Sequence, residues 1–165
     1  MAILKEELKS LALGVIKKEA DAVMNLQPFV DENFINILNL IFNSKGRLII
    51  TGIGKSAIIG SKIVATMNST GTPSIFMHAA DAIHGDLGII QPDDIVMCIS
   101  KSGNTPEIKV LVPLIARMGN KLIAMVSNVN SYLAQHSDFI LPTTVTEEAC
   151  PNNLAPTSST TTQLV

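Results

Sequence analysis

The first 44 residues carry apolar side chains at helical spacing. Apolar residues recur every three or four positions at the start of the chain, which predicts an amphipathic helix. The recurring positions are Leu4, Leu8, Leu11 and Val15. Pro28 ends or kinks this helix, and a second helical pattern runs on to the turn residues at 43–46. We therefore predict an N-terminal helical arm over 1–44 that packs on its own domain or on a second copy of the chain.

From residue 47 the pattern changes to short apolar runs separated by helical segments. The predicted strands are 47–51, 74–77, 94–99, 121–126 and 138–141. Runs such as IVMCI and LIAMV are continuously apolar rather than alternating, as in strands that are covered on both faces. The pattern predicts an α/β fold over 45–165, a three-layer sandwich with a five-stranded parallel sheet flanked by helices.

Composition narrows the class of protein. The 165 residues are 47% hydrophobic and 16% charged with a net charge of -2, which fits one globular domain and disfavours nucleic acid as a partner. No apolar stretch approaches the roughly 20 residues that cross a bilayer, and the charged start MAILKEELKS is unlike a signal peptide. We therefore expect a cytoplasmic protein with no membrane contact. Two cysteines are too few for a disulfide framework, and Cys98 is expected in the core.

Two loops rich in glycine, serine and threonine follow the first and third predicted strands. They are TGIGKS and SKSGNTPE, and each opens a predicted helix. Ligands of parallel sheets bind beyond the carboxyl ends of the strands, where free N–H groups at a helix start attract anions. In the second loop we expect Thr105 to cap the helix, with Pro106 and Glu107 in its first turn. A plain strand-to-helix turn explains either loop alone, but the two together favour a phosphate site.

The type of phosphate compound can be narrowed. A Walker loop needs a glycine where Ile49 stands, and this loop is too short to wrap a triphosphate, so a Walker-type nucleotide site is excluded. Gly52, Gly54 and Ala57 satisfy the dinucleotide pattern G-x-G-x-x-A, but the second strand ends without an acidic residue for a ribose. An NAD-dependent oxidoreductase is thus a weaker alternative to a small phosphorylated metabolite. Such a metabolite would be bound by hydroxyls, by the Gly54 backbone and by a close approach of the chain at Gly103. The expected hydroxyls are those of Ser56, Ser100, Ser102 and Thr105.

The motifs resemble those of a known family. GIGKS, SKSGNTPE and APTSSTTTQ resemble the SIS, or sugar isomerase, domain. STGTP, HGDLGII, SGNTPEI and EEACPNNLAPTSSTTTQL resemble the narrower group of D-arabinose 5-phosphate isomerases. The resemblance covers nearly all of the chain from residue 46. It implies interconversion of D-arabinose 5-phosphate and D-ribulose 5-phosphate, the entry to Kdo and lipopolysaccharide synthesis. A sugar-phosphate sensor without catalysis is the alternative.

Such an isomerase must remove a proton from carbon 2, stabilise an enediolate and return the proton to carbon 1. The resemblance implies Glu148 as the general base, Lys55 at the enediolate, and Glu107 either in proton transfer or orienting Lys55. Plainer interpretations remain, since Glu107 suits the first turn of a helix and Lys55 could neutralise phosphate. The like-charged neighbour Glu147 could raise the pKa of Glu148.

The remaining expectations for the site also come from the resemblance. It implies that His84 contacts the sugar, and that His78 contacts the sugar or a zinc ion. No cofactor is expected to be required, and a bound zinc ion would be inhibitory rather than catalytic. Further substrate contacts are expected from the motif residues Gly71, Thr72, Thr157 and Ser158.

The chain also departs from the family. Lys101 and Asn104 replace common phosphate-loop residues and should make that loop more basic. The sequence stops in what resembles the first turn of the family's C-terminal helix, and it contains no CBS domains, so we expect a longer native chain. A homo-oligomer, dimer or tetramer, is expected, and CMP-Kdo is a candidate feedback ligand.

Overall fold

The computed structural model describes residues 2–165, with side chains from residue 4 onward. Its N-terminal arm consists of helix α1 (Ala2–Met24), a 3-10 turn (Gln27–Phe29) and helix α2 (Glu32–Phe42). Helix α1 ends at Met24, and Pro28, where a break was predicted, lies in the 3-10 turn that follows. Asp31 caps α2, because its carboxylate accepts a 3.0 Å hydrogen bond from the Phe34 backbone N–H.

Five parallel strands form one sheet, which confirms the predicted class. The strands are β1 (Leu48–Gly52), β2 (Ser74–His78), β3 (Ile95–Ile99), β4 (Lys121–Val126) and β5 (Phe139–Pro142). Their order across the sheet is β2-β1-β3-β4-β5. The chain therefore winds outward in both directions from the central pair β1 and β3, which is the doubly wound arrangement.

Helices cover both faces of the sheet. After the arm they are α3 (Lys55–Ser69), α4 (Ala79–Ala82), α5 (Pro106–Met118), α6 (Tyr132–Gln135) and α7 (Ser158–Leu164). Alternate strand residues point to opposite faces. Ile49, Val96 and Cys98 pack with α4, α5 and α6 in one cluster. Ile50, Met97 and Ile123 pack with α2 and α3 in the other. The predicted three-layer sandwich is thus confirmed.

An ion pair joins the starts of the two central strands. The Asp94 side chain is 2% exposed and accepts hydrogen bonds from Arg47 Nη2 at 2.6 Å, from the Arg47 backbone N–H at 2.7 Å and from the Gln91 N–H at 2.8 Å. Burial opposes ionisation of Asp94, but the hydrogen bonds from Arg47 outweigh it and lower the pKa of this carboxyl. This pair fixes the amino edge of the sheet, opposite the edge where a ligand is expected.

Cys98 lies in the core, as predicted. It is fully buried in β3, and burial raises the pKa of its thiol to about 12. No helix within residues 2–165 combines the length and apolar character that a bilayer span needs.

Much of the apolar stripe of α1 faces solvent. Leu8 is 57% exposed and Ile16 65% exposed, although α1 packs against α7. Leu4, Leu11 and Leu13 are also exposed. The arm therefore does not bury this stripe in its own domain.

Candidate functional site

The carboxyl ends of the central strands bring the two predicted anion loops together. Gly52, the last residue of β1, pairs with Ile99 at the end of β3 on one side and with His78 at the end of β2 on the other. The chain leaves β1 and β3 in opposite directions along the sheet, and ligands of doubly wound sheets bind at this point. The segment 53–56 and the loop 100–105, here the phosphate loop, therefore lie beside one another.

Hydroxyl groups shape the phosphate loop. Ser100 Oγ accepts a 3.1 Å hydrogen bond from the Gly103 N–H and lies 3.2 Å from Thr105 Oγ1. Ser102 Oγ accepts a 3.2 Å bond from the Asn104 N–H. Thr105 holds the N-cap position of α5, but its hydroxyl makes no capping bond. Thr105 thus takes the predicted N-cap position, but its hydroxyl contacts Ser100 Oγ and does not accept a bond from an N–H group of α5.

Helix α6 holds the phosphate loop in place, an arrangement we call the α6 clasp. The Gly103 carbonyl accepts a 3.0 Å bond from the Leu133 N–H, and Asn104 Oδ1 accepts a 3.1 Å bond from the Tyr132 N–H. Gly103 has φ +62, and a Cβ there would lie 2.0 Å from Ser131 Oγ and 2.5 Å from Ser131 Cβ. The position thus requires glycine for both its conformation and its close approach to α6.

The start of α3 forms the other side of the site. Gly54, with φ 59, occupies the N-cap without a side-chain bond, so the first N–H groups of α3 lack a side-chain cap. Lys55 is exposed, and its ammonium makes no ion pair or hydrogen bond with another residue in the described part of the chain. Ser56 Oγ lies 3.5 Å from Gln163 Oε1 of α7. These features leave donors and a cation at this edge.

Glu148 lies in a buried, hydrogen-bonded position between the phosphate loop and α7. Its side chain is 6% exposed, and Oε1 is 2.5 Å from Lys101 Nζ. Oε2 accepts bonds from the Thr157 N–H at 2.7 Å, the Thr157 hydroxyl at 3.2 Å and the Ser159 N–H at 3.1 Å. The carboxylate is thus anchored through Oε2 by the start of α7, while Oε1 contacts only the lysine among the described residues.

Glu148 is strongly acidic in this setting. Burial alone would raise its pKa, but the hydrogen bonds from Lys101, Ser159 and Thr157 together lower the pKa to about 2. The expectation that Glu147 raises it was wrong, because Glu147 is exposed and pairs with Lys18 of α1 at 3.1 Å. Glu148 is therefore ionised at neutral pH.

Glu107 lies in the first turn of α5. Its Oε2 atom is buried and has no hydrogen-bond partner among residues 2–165, which is costly for a carboxylate unless another group reaches it. Lys55 and Glu107 form no ion pair in the described structure, so Glu107 does not orient Lys55 by direct contact here.

The two candidate histidines follow β2. His78 ends the strand beside Gly52, and its Nδ1 atom is 3.8 Å from Asp81 Oδ2. His84 is exposed in the turn after α4. Within the described chain, no three His, Cys, Asp or Glu residues cluster as metal ligands would. A zinc ion at His78 stays a prediction.

Three other expectations are corrected by the geometry. Gly71 and Thr72 precede β2 and lie at the amino edge of the sheet, where the neighbouring Pro73 carbonyl accepts a bond from the Leu48 N–H at 2.9 Å. The length of a strand separates them from the phosphate loop, so they do not join this site. Lys101 does not make the loop more basic, because its charge is paired with Glu148.

Thr157 and Ser158 lie close to the site but have different surroundings. Thr157 Oγ1 accepts bonds from the N–H groups of Ala149 and Cys150 and donates to Glu148, so its hydroxyl organises the loop. Ser158 Oγ is buried without a partner among the described residues. Sequence reasoning missed Ser159, whose N–H group binds Glu148, because a backbone donor leaves no signature in residue type.

The chain is similar in sequence to known proteins. A family model described as SIS domain matches residues 40–165. The chain is 50% identical over 154 residues to the arabinose 5-phosphate isomerase KdsD of Pseudomonas aeruginosa, covering 93% of this chain and 47% of that protein. It is 49% identical over 147 residues to the arabinose 5-phosphate isomerase KpsF of Escherichia coli O6:H1, covering 88% of this chain and 45% of that protein.

A solved structure extends the similarity to three dimensions. A protein of E. coli CFT073 determined in complex with arabinose 5-phosphate superposes with a TM-score of 0.91 at 38% identity, covering 96% of this chain and 85% of that one. Against the curated relatives the present chain is shorter, since it spans 47% of KdsD and 45% of KpsF.

Proposed function

The chain belongs to the SIS domain family, and from that premise we propose that the protein is an aldose-ketose isomerase. Its reaction would interconvert D-arabinose 5-phosphate and D-ribulose 5-phosphate through an enediolate, as the first step of Kdo and lipopolysaccharide synthesis. Relatives about half identical to this chain carry the name arabinose 5-phosphate isomerase. The observation that carries the proposal is Glu148, a buried carboxylate with one anchored oxygen beside a loop suited to phosphate.

The two loops would fix the phosphate end of the sugar. Hydroxyls of Ser56, Ser100 and Ser102 lie at or beside the starts of α3 and α5, where helix N–H groups favour an anion. Fixing one end of a flexible sugar aligns its other end against the catalytic groups, which lowers the entropic part of the barrier.

The reacting end of the sugar would meet Glu148, Lys55 and Glu107. Glu148 Oε1 would take the carbon 2 proton and return it to carbon 1, and the Lys55 ammonium would stabilise the enediolate. Glu107 would assist proton transfer. Its buried Oε2 atom has no hydrogen-bond partner among the described residues, and a sugar hydroxyl would supply one. His78 and His84, at the same edge, would contact the sugar.

The isomerase is tested by incubating the whole protein with arabinose 5-phosphate, alongside ribose 5-phosphate and glucose 6-phosphate, and following ketose formation. Glu148→Gln should abolish turnover without weakening sugar-phosphate binding, whereas Glu147→Gln should change neither because Glu147 is exposed. Binding without turnover in the unchanged protein would instead favour the sensor. Turnover retained by Glu148→Gln would remove Glu148 from its assigned role.

We also propose a homo-oligomer that uses the exposed side of α1. Leu8 is 57% exposed and Ile16 65% exposed, and a row of large apolar side chains in water favours association. Sedimentation velocity should find a dimer or tetramer. Leu8→Glu should shift it toward monomer, whereas Lys17→Glu, on the same helix, should have a smaller effect. A monomer at high protein concentration would contradict the proposal.

Two ligands of this site remain proposals. CMP-Kdo would act as a feedback inhibitor in the sugar site, and zinc bound at His78 would inhibit rather than assist. Isomerase assays with each compound test them, and unchanged kinetics at high concentration would end either idea. Zinc inhibition should be lost in His78→Gln. A cytoplasmic location stays a prediction.

A further inference from the structure

The ion pair between Lys101 and Glu148 creates a difficulty for a catalytic base. Oε2 of Glu148 already accepts three hydrogen bonds from Thr157 and Ser159, so only Oε1 remains to take a proton. Lys101 Nζ lies 2.5 Å from that oxygen. The ammonium takes one of the two lone pairs of Oε1 and stabilises the ionised carboxylate, which makes this oxygen a weaker base. Moving the lysine away would therefore make Oε1 a stronger base.

Lys101 stands where such a movement can occur. It lies in the phosphate loop between Ser100 and Ser102, and its carbonyl oxygen accepts a 3.1 Å bond from the Ser127 N–H, which fixes its backbone. Its side chain is 49% exposed, so the ammonium can move while the loop stays in place. A phosphate dianion bound in the same loop carries more charge than one carboxylate and would compete for this ammonium.

Among the side chains that the structure describes, only Lys101 forms an ion pair with Glu148. From α1, Lys18 pairs with Glu147 at 3.1 Å, and Glu7 lines a groove beside Ala149 rather than contacting Glu148. The residues of α7 carry no charge, and Cys150, two residues further along the loop, binds Thr157 through its backbone. Within the described residues, Lys101 is therefore the cation that controls Oε1.

We propose that Lys101 is a positioning residue that holds Oε1 of Glu148 in an ion pair, and that a phosphate group bound in the phosphate loop draws the ammonium away and frees this oxygen. The inference rests on the proposed function for its catalytic meaning. Proton abstraction would then be faster when the phosphate end of a sugar occupies the loop. The low pKa of the free enzyme's Glu148, about 2, agrees with this state, since loss of the lysine contact raises basicity as the substrate arrives.

A binding cycle with inorganic phosphate tests the exchange without turnover. If Lys101 must leave Glu148 to bind phosphate, Glu148→Gln releases it in advance and should tighten phosphate binding roughly fivefold, the worth of a half-exposed ion pair. Glutamine at this position still offers an oxygen to Thr157 and Ser159, which preserves the anchor. In the Lys101→Met background the same change should tighten binding less than about twofold, because only charge repulsion is removed. Calorimetry measures all four proteins.

Equal tightening in both backgrounds would overturn the exchange, and so would no tightening when Lys101 is present. Glu148→Gln could disturb the loop, so Lys101→Met alone provides a second measurement. The carboxyl carbon of Glu148 is followed by NMR in uniformly labelled protein. In the unchanged protein this carboxyl should stay ionised down to about pH 4. In Lys101→Met the midpoint of its pH titration should rise by about one pH unit or more. An unshifted midpoint would overturn the inference.

Neither measurement depends on isomerase activity, which separates the two proposals. A protein that shows both effects but converts no sugar phosphate would overturn the proposed function and leave the exchange standing. An active isomerase that shows neither effect would support the proposed function and overturn the exchange. In an active protein, Lys101→Met should also shift the acid limb of kcat/KM toward higher pH, and Lys101→Arg should restore it. A loss of structure alone would lower activity at every pH.

Discussion

Gly103→Ala is expected to destabilise the protein by more than a left-handed glycine normally does. Gly103 has φ +62, a region that costs an L-residue about 1–2 kcal/mol. The added Cβ would also lie 2.0 Å from Ser131 Oγ and 2.5 Å from Ser131 Cβ. Because Ser131 is the N-cap of α6, the overlap can be relieved only by moving that helix or the loop, at a further cost of about 1–3 kcal/mol. The total is about 2–5 kcal/mol.

Gly119→Ala is the matched control. Gly119 ends α5 with φ +81, but a Cβ there meets no atom within 4 Å, so this variant should lose only the conformational part. The additional loss at Gly103 corresponds to a melting temperature lower by roughly 2–12 °C. Urea denaturation of both variants measures the free energy of unfolding, and titration with inorganic phosphate measures the affinity of the phosphate loop for phosphate. Only Gly103→Ala should weaken phosphate binding.

Ser131→Gly tests whether overlap with Ser131 causes the additional destabilisation of Gly103→Ala. It removes both atoms that the new Cβ would strike and costs only a few tenths of a kcal/mol as a cap change. The double variant Gly103→Ala/Ser131→Gly should therefore recover most of the additional loss. If Gly103→Ala is no less stable than Gly119→Ala, or if Ser131→Gly brings no recovery, the close packing of the loop on α6 does not determine the loop's conformation.

Three further predictions concern the buried ion pair and the cysteines. Arg47→Ala leaves the buried Asp94 carboxylate without its ion-pair partner and should lower the free energy of unfolding in urea by about 3–5 kcal/mol. Lys121→Ala is the control, because its partner Asp138 has a side chain that is 33% exposed, and it should cost under about 1 kcal/mol. Equal losses in the two variants would contradict this prediction. Since the folded-state pKa of Asp94 lies below its ordinary 3.8, its stabilisation is complete above that value and is lost as pH falls through the lower folded pKa. The pH dependence of unfolding below about pH 4 should therefore flatten in Arg47→Ala. A thiol reagent at neutral pH should modify Cys150, because this thiol is partly exposed and backbone N–H groups lower its pKa. The reagent should reach the buried Cys98 only when the protein unfolds. Mass spectrometry of the protein and of Cys150→Ser identifies which cysteine is modified.

The fold was predictable because its signals are local. The strand at Lys121–Val126 has the predicted bounds, since a continuous apolar run between polar residues has few alternatives. The position of the loop 100–105 was predictable for a similar reason, because Gly103 and its serine neighbours follow a strand and open a helix. These features depend on neighbouring residues only.

The contacts within the site were not predictable in the same way. Lys101 and Glu148 are 47 positions apart, and no sequence pattern states that the lysine would bind the carboxylate rather than a ligand. Thr105 occupies the predicted N-cap position, but no sequence pattern indicated that its hydroxyl would contact Ser100 Oγ at 3.2 Å. Gly71 and Thr72 lie in a glycine-containing turn, as do the segments 53–56 and 100–105. Only the direction of β2 reveals which edge of the sheet they occupy.

The α6 clasp has a consequence for the thermodynamics of binding. The Leu133 and Tyr132 N–H groups hold the phosphate loop through bonds internal to the protein, so the loop is ordered when the chain folds. Ordering a mobile backbone costs about 1–2 kcal/mol per residue, and a loop that became ordered only around its ligand would lose that amount from affinity. Phosphate should therefore bind with a small entropic penalty. Affinity in this loop thus depends on a helix of four residues that contributes its backbone to the loop.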